Sequence, residues 1–108
     1  MEASTILIGY TAVPLGGKWV PQEIWYDRLS GRLVAMPYSK QVFKRKHDCV
    51  KAIMENNLKY NRDIPIFGGP ASLRKYLQRF KVHLSKDDVA RFYREVALRY
   101  ESKADKSG

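Results

Sequence analysis

Cysteine and histidine are scarce in this chain of 108 residues, which contains only Cys49, His47 and His83 of these two types. A single cysteine excludes an intrachain disulfide, so the sequence is not that of a disulfide-stabilised secreted module. These residues are also too few for a typical Cys/His zinc site. No stretch approaches the ~20 apolar residues of a transmembrane helix, and Glu2 stands where a signal peptide needs basic residues. We therefore expect a protein of the reducing cytoplasm that makes no contact with membranes.

Acidic residues are also in short supply, with 11 Asp and Glu against 20 Lys and Arg and a formal net charge of +9. The excess of positive charge is present in both halves of the chain, so it does not belong to a detachable tail. At 44%, the hydrophobic share is sufficient for a folded core. The length fits one domain, which we place at residues 1–100, followed by a flexible polar tail at 101–108. A strongly basic domain attracts polyanionic partners.

The first half of the chain has the pattern of β-strands. Apolar and polar residues alternate over 4–13, 18–27 and 32–36, and turn-forming residues separate these segments. A further short strand is expected at 41–43. Pro21 predicts an edge or a bulge in the second strand, because proline cannot donate a ladder hydrogen bond. An exposed edge there would permit a homodimer.

The second half of the chain has the 3.6-residue hydrophobic period of helices. A first helix is predicted over 47–58, a second from Pro70, and a third from the N-cap residue Ser85. Their apolar stripes are Val50, Ile53, Met54 and Leu58, then Leu73, Tyr76, Leu77 and Phe80, then Val89, Phe92, Val96 and Tyr100. The predicted fold class is α+β, with an N-terminal three-stranded antiparallel sheet packed on a helix, followed by two C-terminal helices.

No catalytic, metal-binding or cofactor-binding constellation is evident in the sequence. His47, Asp48 and Cys49 are consecutive, and consecutive helical residues point about 100° apart, so these side chains cannot converge as a catalytic triad does. We expect Cys49 to pack near Ile53 and its two neighbours to face solvent. Strand carboxylates such as Glu23 have no spacing that would gather a metal site. The sequence therefore indicates a non-enzymatic protein without a metal or a cofactor.

Two clusters of cations carry the functional prediction. The first lies at the start of the first helix, where the positive end of the helix dipole disfavours each cation by ~0.3–1 kcal/mol and a bound anion would compensate. The second follows Gly68 and Gly69, whose backbone N–H groups suit a phosphate, although the spacing is not that of a nucleotide-binding P-loop. The residues are Lys40, Lys44, Arg45 and Lys46 in the first cluster, and Arg74, Lys75 and Arg79 in the second. We expect them to bind DNA or RNA through its phosphates.

An alternative function is suggested by the aromatic residues of the predicted hairpin. They are Trp19, Trp25, Tyr26 and Tyr38. Aromatic residues and arginine are enriched at the energetic centres of protein interfaces. The alternative is therefore a protein-interaction module, an adaptor or an inhibitor, that covers an acidic surface of another protein.

Overall fold

The computed structural model of the protein describes the backbone of residues 4–107 and the side chains of residues 4–100. The strands are β1 (Thr5–Leu15), β2 (Lys18–Asp27), β3 (Arg32–Pro37) and β4 (Ile66–Phe67), and the helices are α1 (Lys46–Lys59), α2 (Pro70–Arg79) and α3 (Lys86–Ser107). Three antiparallel strands precede α1, and α2 and α3 follow it, which confirms the predicted α+β class.

Two tight turns set the order of the antiparallel strands. Gly16 and Gly17 join β1 to β2 with φ of 51° and 81°, the positive values that a two-residue hairpin turn requires and that glycine adopts without strain. At the β2–β3 turn, the Asp27 carboxylate accepts hydrogen bonds from the Leu29 amide at 3.1 Å and the Ser30 hydroxyl at 2.9 Å. These turns place β2 between β1 and β3.

A short fourth strand completes the sheet, whose order is β3-β2-β1-β4. β4 has two residues and runs parallel to β1, opposite Tyr10 and Thr11. The sequence predicts no strand there, because two residues show no alternation. The strand predicted at 41–43 is instead a single bridge, in which Trp19 and Phe43 exchange hydrogen bonds of 2.6 and 2.8 Å.

Pro21 lies in the first part of β2, which extends beyond the β3 ladder, in agreement with the interruption that a proline predicts. It pairs with Ala12 of β1, and the pairing of β2 with β3 begins only at Gln22, opposite Pro37. The Pro21 carbonyl accepts hydrogen bonds from the Tyr38 amide at 3.3 Å and the Gln22 side chain at 3.0 Å. The proline thus stands at the limit of the β3 ladder, where no ladder donor is needed. The Tyr38 amide and the bridge between Trp19 and Phe43 occupy this side of β2, and the homodimer stays a prediction.

α2 and α3 cover one face of the sheet. Val89, Phe92 and Val96 are buried in the core between α3 and the sheet, as predicted. Ser85 and Asp88 form a reciprocal cap at the start of α3: the Ser85 hydroxyl accepts from the Asp88 amide at 3.1 Å, and the Asp88 carboxylate accepts from the Ser85 amide at 3.2 Å. α3 continues through residues 101–107 of the predicted tail, whose flexibility stays a prediction, and Gly108 lies outside the described residues.

α1 covers the opposite face, over β1, β2 and β4. Its buried residues are Cys49, Ile53 and Asn57, each about one turn from the next. Met54 and Leu58 are exposed instead, so the predicted apolar stripe is wrong for these two residues. The Asn57 side-chain amide donates to the Ile64 carbonyl at 3.2 Å. This polar contact turns the Asn57 side of the helix inward and leaves Leu58 in solvent.

Candidate nucleic-acid interface

Lys46 joins the two predicted clusters of cations. It is the first residue of α1, and its Nζ donates a hydrogen bond to the carbonyl of Gly68, two residues before α2 begins at Pro70. The same ammonium lies 5.5 Å from the centroid of the Trp19 ring, a cation–π contact. The Lys46 side chain therefore bridges the start of α1 and the segment between β4 and α2. We call this surface the helix-start junction.

Both helix starts at this junction lack a capping side chain. Both helices lie wholly within the described residues, and neither N-cap residue, Arg45 in α1 or Gly69 in α2, makes a side-chain cap hydrogen bond. The first turn of α1 contains Asp48, and the first turn of α2 contains no acidic residue. Helix starts favour anions because their backbone N–H groups are unpaired and the helix dipole is positive there. Each of the two starts has basic residues close to it in the chain and is therefore suited to phosphate.

Most of the predicted contact residues are exposed. The exposed ones are Lys40, Lys44, Arg45, Lys75 and Arg79. Lys75 and Arg79 lie one turn apart on α2, where they border a shallow depression of ≈ 240 Å³ beside Phe67 of β4. The bond between Lys46 and Gly68 links the last residue of the first cluster to the segment that precedes α2, whereas Arg79 lies in the last turn of that helix.

Arg74 has a different environment from the other cations of α2. Its side chain is half-buried, and its Nε donates to the Leu84 carbonyl at 3.1 Å. This bond holds α2 against the segment that begins α3. A guanidinium has five N–H donors, so the Nη groups remain able to reach a phosphate on the α3 side of α2. Arg74 therefore has a structural contact that its sequence position does not reveal.

A cluster that sequence reasoning missed lies at the C-terminal end of α1. Tyr60 is 55% exposed, and Lys59 Nζ and Arg62 Cζ each lie 5.5 Å from its ring centroid. Asn61 has a φ of 52°, and the Arg62 amide donates to the Asn57 carbonyl at 2.8 Å, which ends the helix in a Schellman motif. Exposed aromatic rings among cations are typical of surfaces that bind single-stranded nucleic acid. The signal present in the sequence is an aromatic residue interleaved with cations at 59–62.

A cleft of ≈ 520 Å³ extends from Tyr60 to the segment that follows β3, and we call it the α1 cleft. Tyr38 and Phe43 line it on the side of that segment, and Asn56 lines it on the helix. Asn56 Nδ2 donates a hydrogen bond to the Tyr38 hydroxyl. Burial raises the pKa of Tyr38, and the bond from Asn56 acts in the opposite direction. Phe43 lines the cleft and Lys44 follows it directly in the chain, so the cleft adjoins the first cluster of cations.

The aromatic residues behind the alternative hypothesis are half-buried. Tyr26 packs against the main core, and the Tyr38 ring meets the buried Tyr10 ring edge-on at 4.9 Å. Trp25 Nε1 donates to the Glu23 carboxylate at 3.1 Å. Trp25 lies on β2 opposite Val34 of β3, on the face of the sheet that α1 covers and next to β3, a strand that α1 does not cover. Trp25 is therefore open to a protein partner, whereas Tyr26 and Tyr38 already have contacts within the fold.

The consecutive residues His47, Asp48 and Cys49 take the positions that the sequence predicts. His47 and Asp48 are exposed, and Cys49 is buried near Ile53. Burial raises the pKa of the Cys49 thiol to about 11, so this residue is protonated and a poor nucleophile at neutral pH. Among the residues described, no three His, Cys, Asp or Glu side chains are grouped so as to hold a metal ion. No helix in residues 4–107 combines the length and the apolarity that a membrane span requires.

Comparisons of this chain with protein-family models, with curated proteins and with solved structures found no match. A function must therefore be argued from the helix-start junction and the α1 cleft themselves.

Proposed function

We propose that this protein binds nucleic acid through its phosphates, without catalysis, and that the helix-start junction is the binding surface. The observation that supports this most directly is the hydrogen bond from Lys46 to the Gly68 carbonyl, because it links the first cluster to the segment that leads into the helix of the second cluster. The proposed contacts are Lys40, Lys44, Arg45, Lys46, Lys75 and Arg79, with Arg74 on the α3 side of α2. Phosphate contacts of this kind fix orientation and affinity but do not select a base sequence.

Because helices cover both faces of the sheet, we expect helices and loops, rather than strands, to contact the nucleic acid. α1 lies on one face, and α2 and α3 lie on the other, so neither face is free along its whole length to enter a groove. The open part of the α1 face carries Glu23 beside Trp25, and a carboxylate repels phosphate. Cations and uncapped helix starts instead coincide at the junction, where both would attract the same anionic backbone.

Fluorescence polarisation with a labelled duplex, a labelled DNA single strand and a labelled RNA tests the proposal. We expect binding at about 50 mM salt that weakens steeply by about 200 mM. The slope of log affinity against log salt should be about −0.9 for each phosphate contact on a duplex and about −0.7 on a single strand. Absence of binding to all three probes at the lower salt concentration would exclude the proposal.

Charge-matched double variants distinguish a specific surface from general positive charge. Lys44→Glu with Arg45→Glu reverses two cations at the junction. Arg28→Glu with Arg94→Glu makes the same change in net charge at exposed positions on the β2–β3 turn and on α3. We expect the first double variant to lose at least about tenfold in affinity and to have a flatter salt slope, since two phosphate contacts are lost. Equal losses in both variants would mean that the junction is not the binding surface.

The protein-interaction module is supported by one observation, the position of Trp25 on the open part of the sheet. Its neighbour Met36 is 48% exposed on the same face of β3, which extends the apolar surface there. Exposed aromatic and methionine side chains are enriched in interfaces. A partner bound there would be lost on Trp25→Ala, whereas binding to nucleic acid through the proposed phosphate contacts would be retained in that variant.

A further inference from the structure

The α1 cleft has a lining suited to a flat ligand that forms hydrogen bonds. Its volume of ≈ 520 Å³ is within the range of small-molecule sites, roughly 300–1,000 Å³. Tyr38, Phe43 and Tyr60 supply aromatic surface, and Gln41 and Asn56 supply amide groups. Unpaired bases stack on aromatic side chains and form hydrogen bonds with amides along their edges. The lining therefore matches a nucleobase better than it matches an aliphatic ligand.

Polar groups also converge on the Tyr38 hydroxyl within this cleft. Burial is the main influence on its pKa and raises it, Asn56 lowers it through a hydrogen bond, and smaller effects of opposite sign come from Arg62 and Glu23. Arg62 and Glu23 also line the cleft. Behind Tyr38, the Tyr10 hydroxyl has no hydrogen-bond partner among the described residues, but it is fully buried and does not line the cleft.

Glu23 determines which base the cleft would accept. An ionised carboxylate only accepts hydrogen bonds, and one Glu23 oxygen already accepts from Trp25 Nε1 at 3.1 Å. The other oxygen can accept a further hydrogen bond. Cytosine offers its N4 amino group, for which glutamate and aspartate are the usual acceptors. Uracil and thymine carry a carbonyl oxygen at the same place, and this oxygen would repel the carboxylate.

We propose that the α1 cleft binds an unpaired nucleobase that carries an exocyclic amino group, with cytosine as the simplest case. This inference rests on the proposed nucleic-acid binding and adds its substrate class, because a base held in the cleft cannot be paired with a second strand. Gln41 and Phe43 line the cleft, and Lys44 and Arg45 follow directly in the chain. A strand with one base in the cleft therefore has its neighbouring phosphates close to the first cluster of cations.

Titration of the full ¹⁵N-labelled chain with cytidine 5′-monophosphate and uridine 5′-monophosphate tests this assignment. The reporter is the indole N–H resonance of Trp25, because that group is bonded to Glu23. We expect a saturable shift with cytidine monophosphate at a dissociation constant of about 1 mM or tighter. Uridine monophosphate should bind about tenfold more weakly, because uracil has a carbonyl oxygen where cytosine has the amino group that would donate to the Glu23 carboxylate. No shift with cytidine monophosphate, or equal affinity for both nucleotides, would overturn the assignment.

Two variants test the roles of the individual side chains. Glu23→Gln keeps an oxygen that can accept from Trp25 and gains an amide donor for a carbonyl, so the preference should shift towards uridine monophosphate. Glu55→Gln is the matched control, because Glu55 is exposed on α1 outside the cleft, and it should keep the preference for cytidine. Tyr60→Ala should weaken both nucleotides about tenfold through the loss of stacking. A Glu23 variant with unchanged preference would refute the proposed role of its carboxylate.

The oligonucleotide binding assay and the nucleotide titration together distinguish a failure of this inference from a failure of the proposed function. If oligonucleotides bind with the expected salt slope while cytidine monophosphate produces no shift, the cleft assignment fails and the phosphate surface stands. If cytidine monophosphate binds with the expected preference while oligonucleotides do not bind at about 50 mM salt, the phosphate surface fails and the cleft is a site for free nucleotides.

Discussion

The hydroxyl oxygens of Thr11 and Tyr93 lie 2.9 Å apart, although 82 residues separate them in the chain. Thr11 Oγ1 donates to the Phe67 carbonyl at 3.0 Å, and a threonine hydroxyl has one hydrogen, so Tyr93 is the donor to Thr11. Burial raises the pKa of Tyr93, and the bond to Thr11 acts in the opposite direction. The phenol therefore keeps its proton at neutral pH, and the two bonds connect β1, β4 and α3.

Replacement of Tyr93 by phenylalanine removes this donor and keeps the ring. We expect the free energy of unfolding to fall by about 0.5–1.5 kcal/mol, the net contribution of a typical hydrogen bond. Urea denaturation followed by circular dichroism measures the change. Tyr60→Phe is the matched control, because the Tyr60 ring is exposed, and its effect should stay within about 0.5 kcal/mol. Equal stability of the two variants would show that the bond to Thr11 contributes nothing.

Gly9 permits β4 to approach β1 closely. A methyl group added at this residue would lie 2.6 Å from the Pro65 carbonyl oxygen, which accepts a hydrogen bond from the Tyr10 amide. We expect Gly9→Ala to cost about 1–3 kcal/mol, as overpacking in a core usually does. In the control Gly68→Ala, the added methyl group would lie 4.0 Å from Lys46 Nζ, so its denaturation midpoint should remain that of the wild type. A stable Gly9 variant would argue against the close approach.

Local sequence patterns predicted the elements whose stabilising contacts are close in the chain. The alternation of β2 and β3 with a turn at Asp27 defines their hairpin, and the Ser85 cap with its apolar stripe defines α3. β4 lacks such a pattern, because its pairing depends on the small size of Gly9 far away in the chain. Burial of Cys49 and Ile53 on α1 was predicted, but the exposure of Leu58 was missed, since the bond from Asn57 to the Ile64 carbonyl is not part of a hydrophobic period.

Burial of Cys49 predicts how the stability of the protein responds to alkali. Its thiol pKa is raised to about 11, above the ~8.5 of an exposed cysteine. The folded state holds this proton more tightly, so the contribution to stability is complete below pH ~8.5 and is lost as the pH rises towards the folded value. Cys49→Ala lacks this titration.

We therefore expect the unfolding free energy of the wild type to decrease relative to that of Cys49→Ala as the pH rises from ~8.5. Denaturation curves of both proteins over this pH range give the difference in their unfolding free energies. The tyrosines and lysines are the same in both proteins, so the effect of their titration cancels in this difference. Iodoacetamide should modify the native thiol slowly and the urea-unfolded thiol rapidly. A difference that stays constant with pH would show that the thiol titrates normally in the folded state.

Charge is visible in a sequence, but the contacts that assemble charges into a surface are not. Lys44 and Arg45 were predicted from their run of cations, whereas their connection to α2 depends on the bond between Lys46 and Gly68, which are 22 residues apart. The α1 cleft was missed because residues 59–62 follow neither a helical nor a strand period. The bond from Arg74 to the Leu84 carbonyl likewise lies outside any local pattern.

Lys46 and Lys44 carry the same charge but differ in their contacts, so their methionine variants separate stability from binding. Lys46→Met removes the hydrogen bond to Gly68 and the cation–π contact with Trp19, and we expect a loss of about 1 kcal/mol in unfolding free energy for this partly exposed site. Lys44 is exposed, so Lys44→Met should change stability by less than about 0.5 kcal/mol. Urea denaturation distinguishes the two variants.

In the binding assay the same two variants should behave alike, because each loses one proposed phosphate contact. The salt slope on duplex DNA should become shallower by about 0.9 in both. Trp19 fluorescence supplies a further check, since only Lys46→Met removes the cation beside that ring. Equal stability of the two variants, together with an unchanged Trp19 spectrum, would mean that Lys46 does not hold the junction together and that the two basic segments come together for another reason.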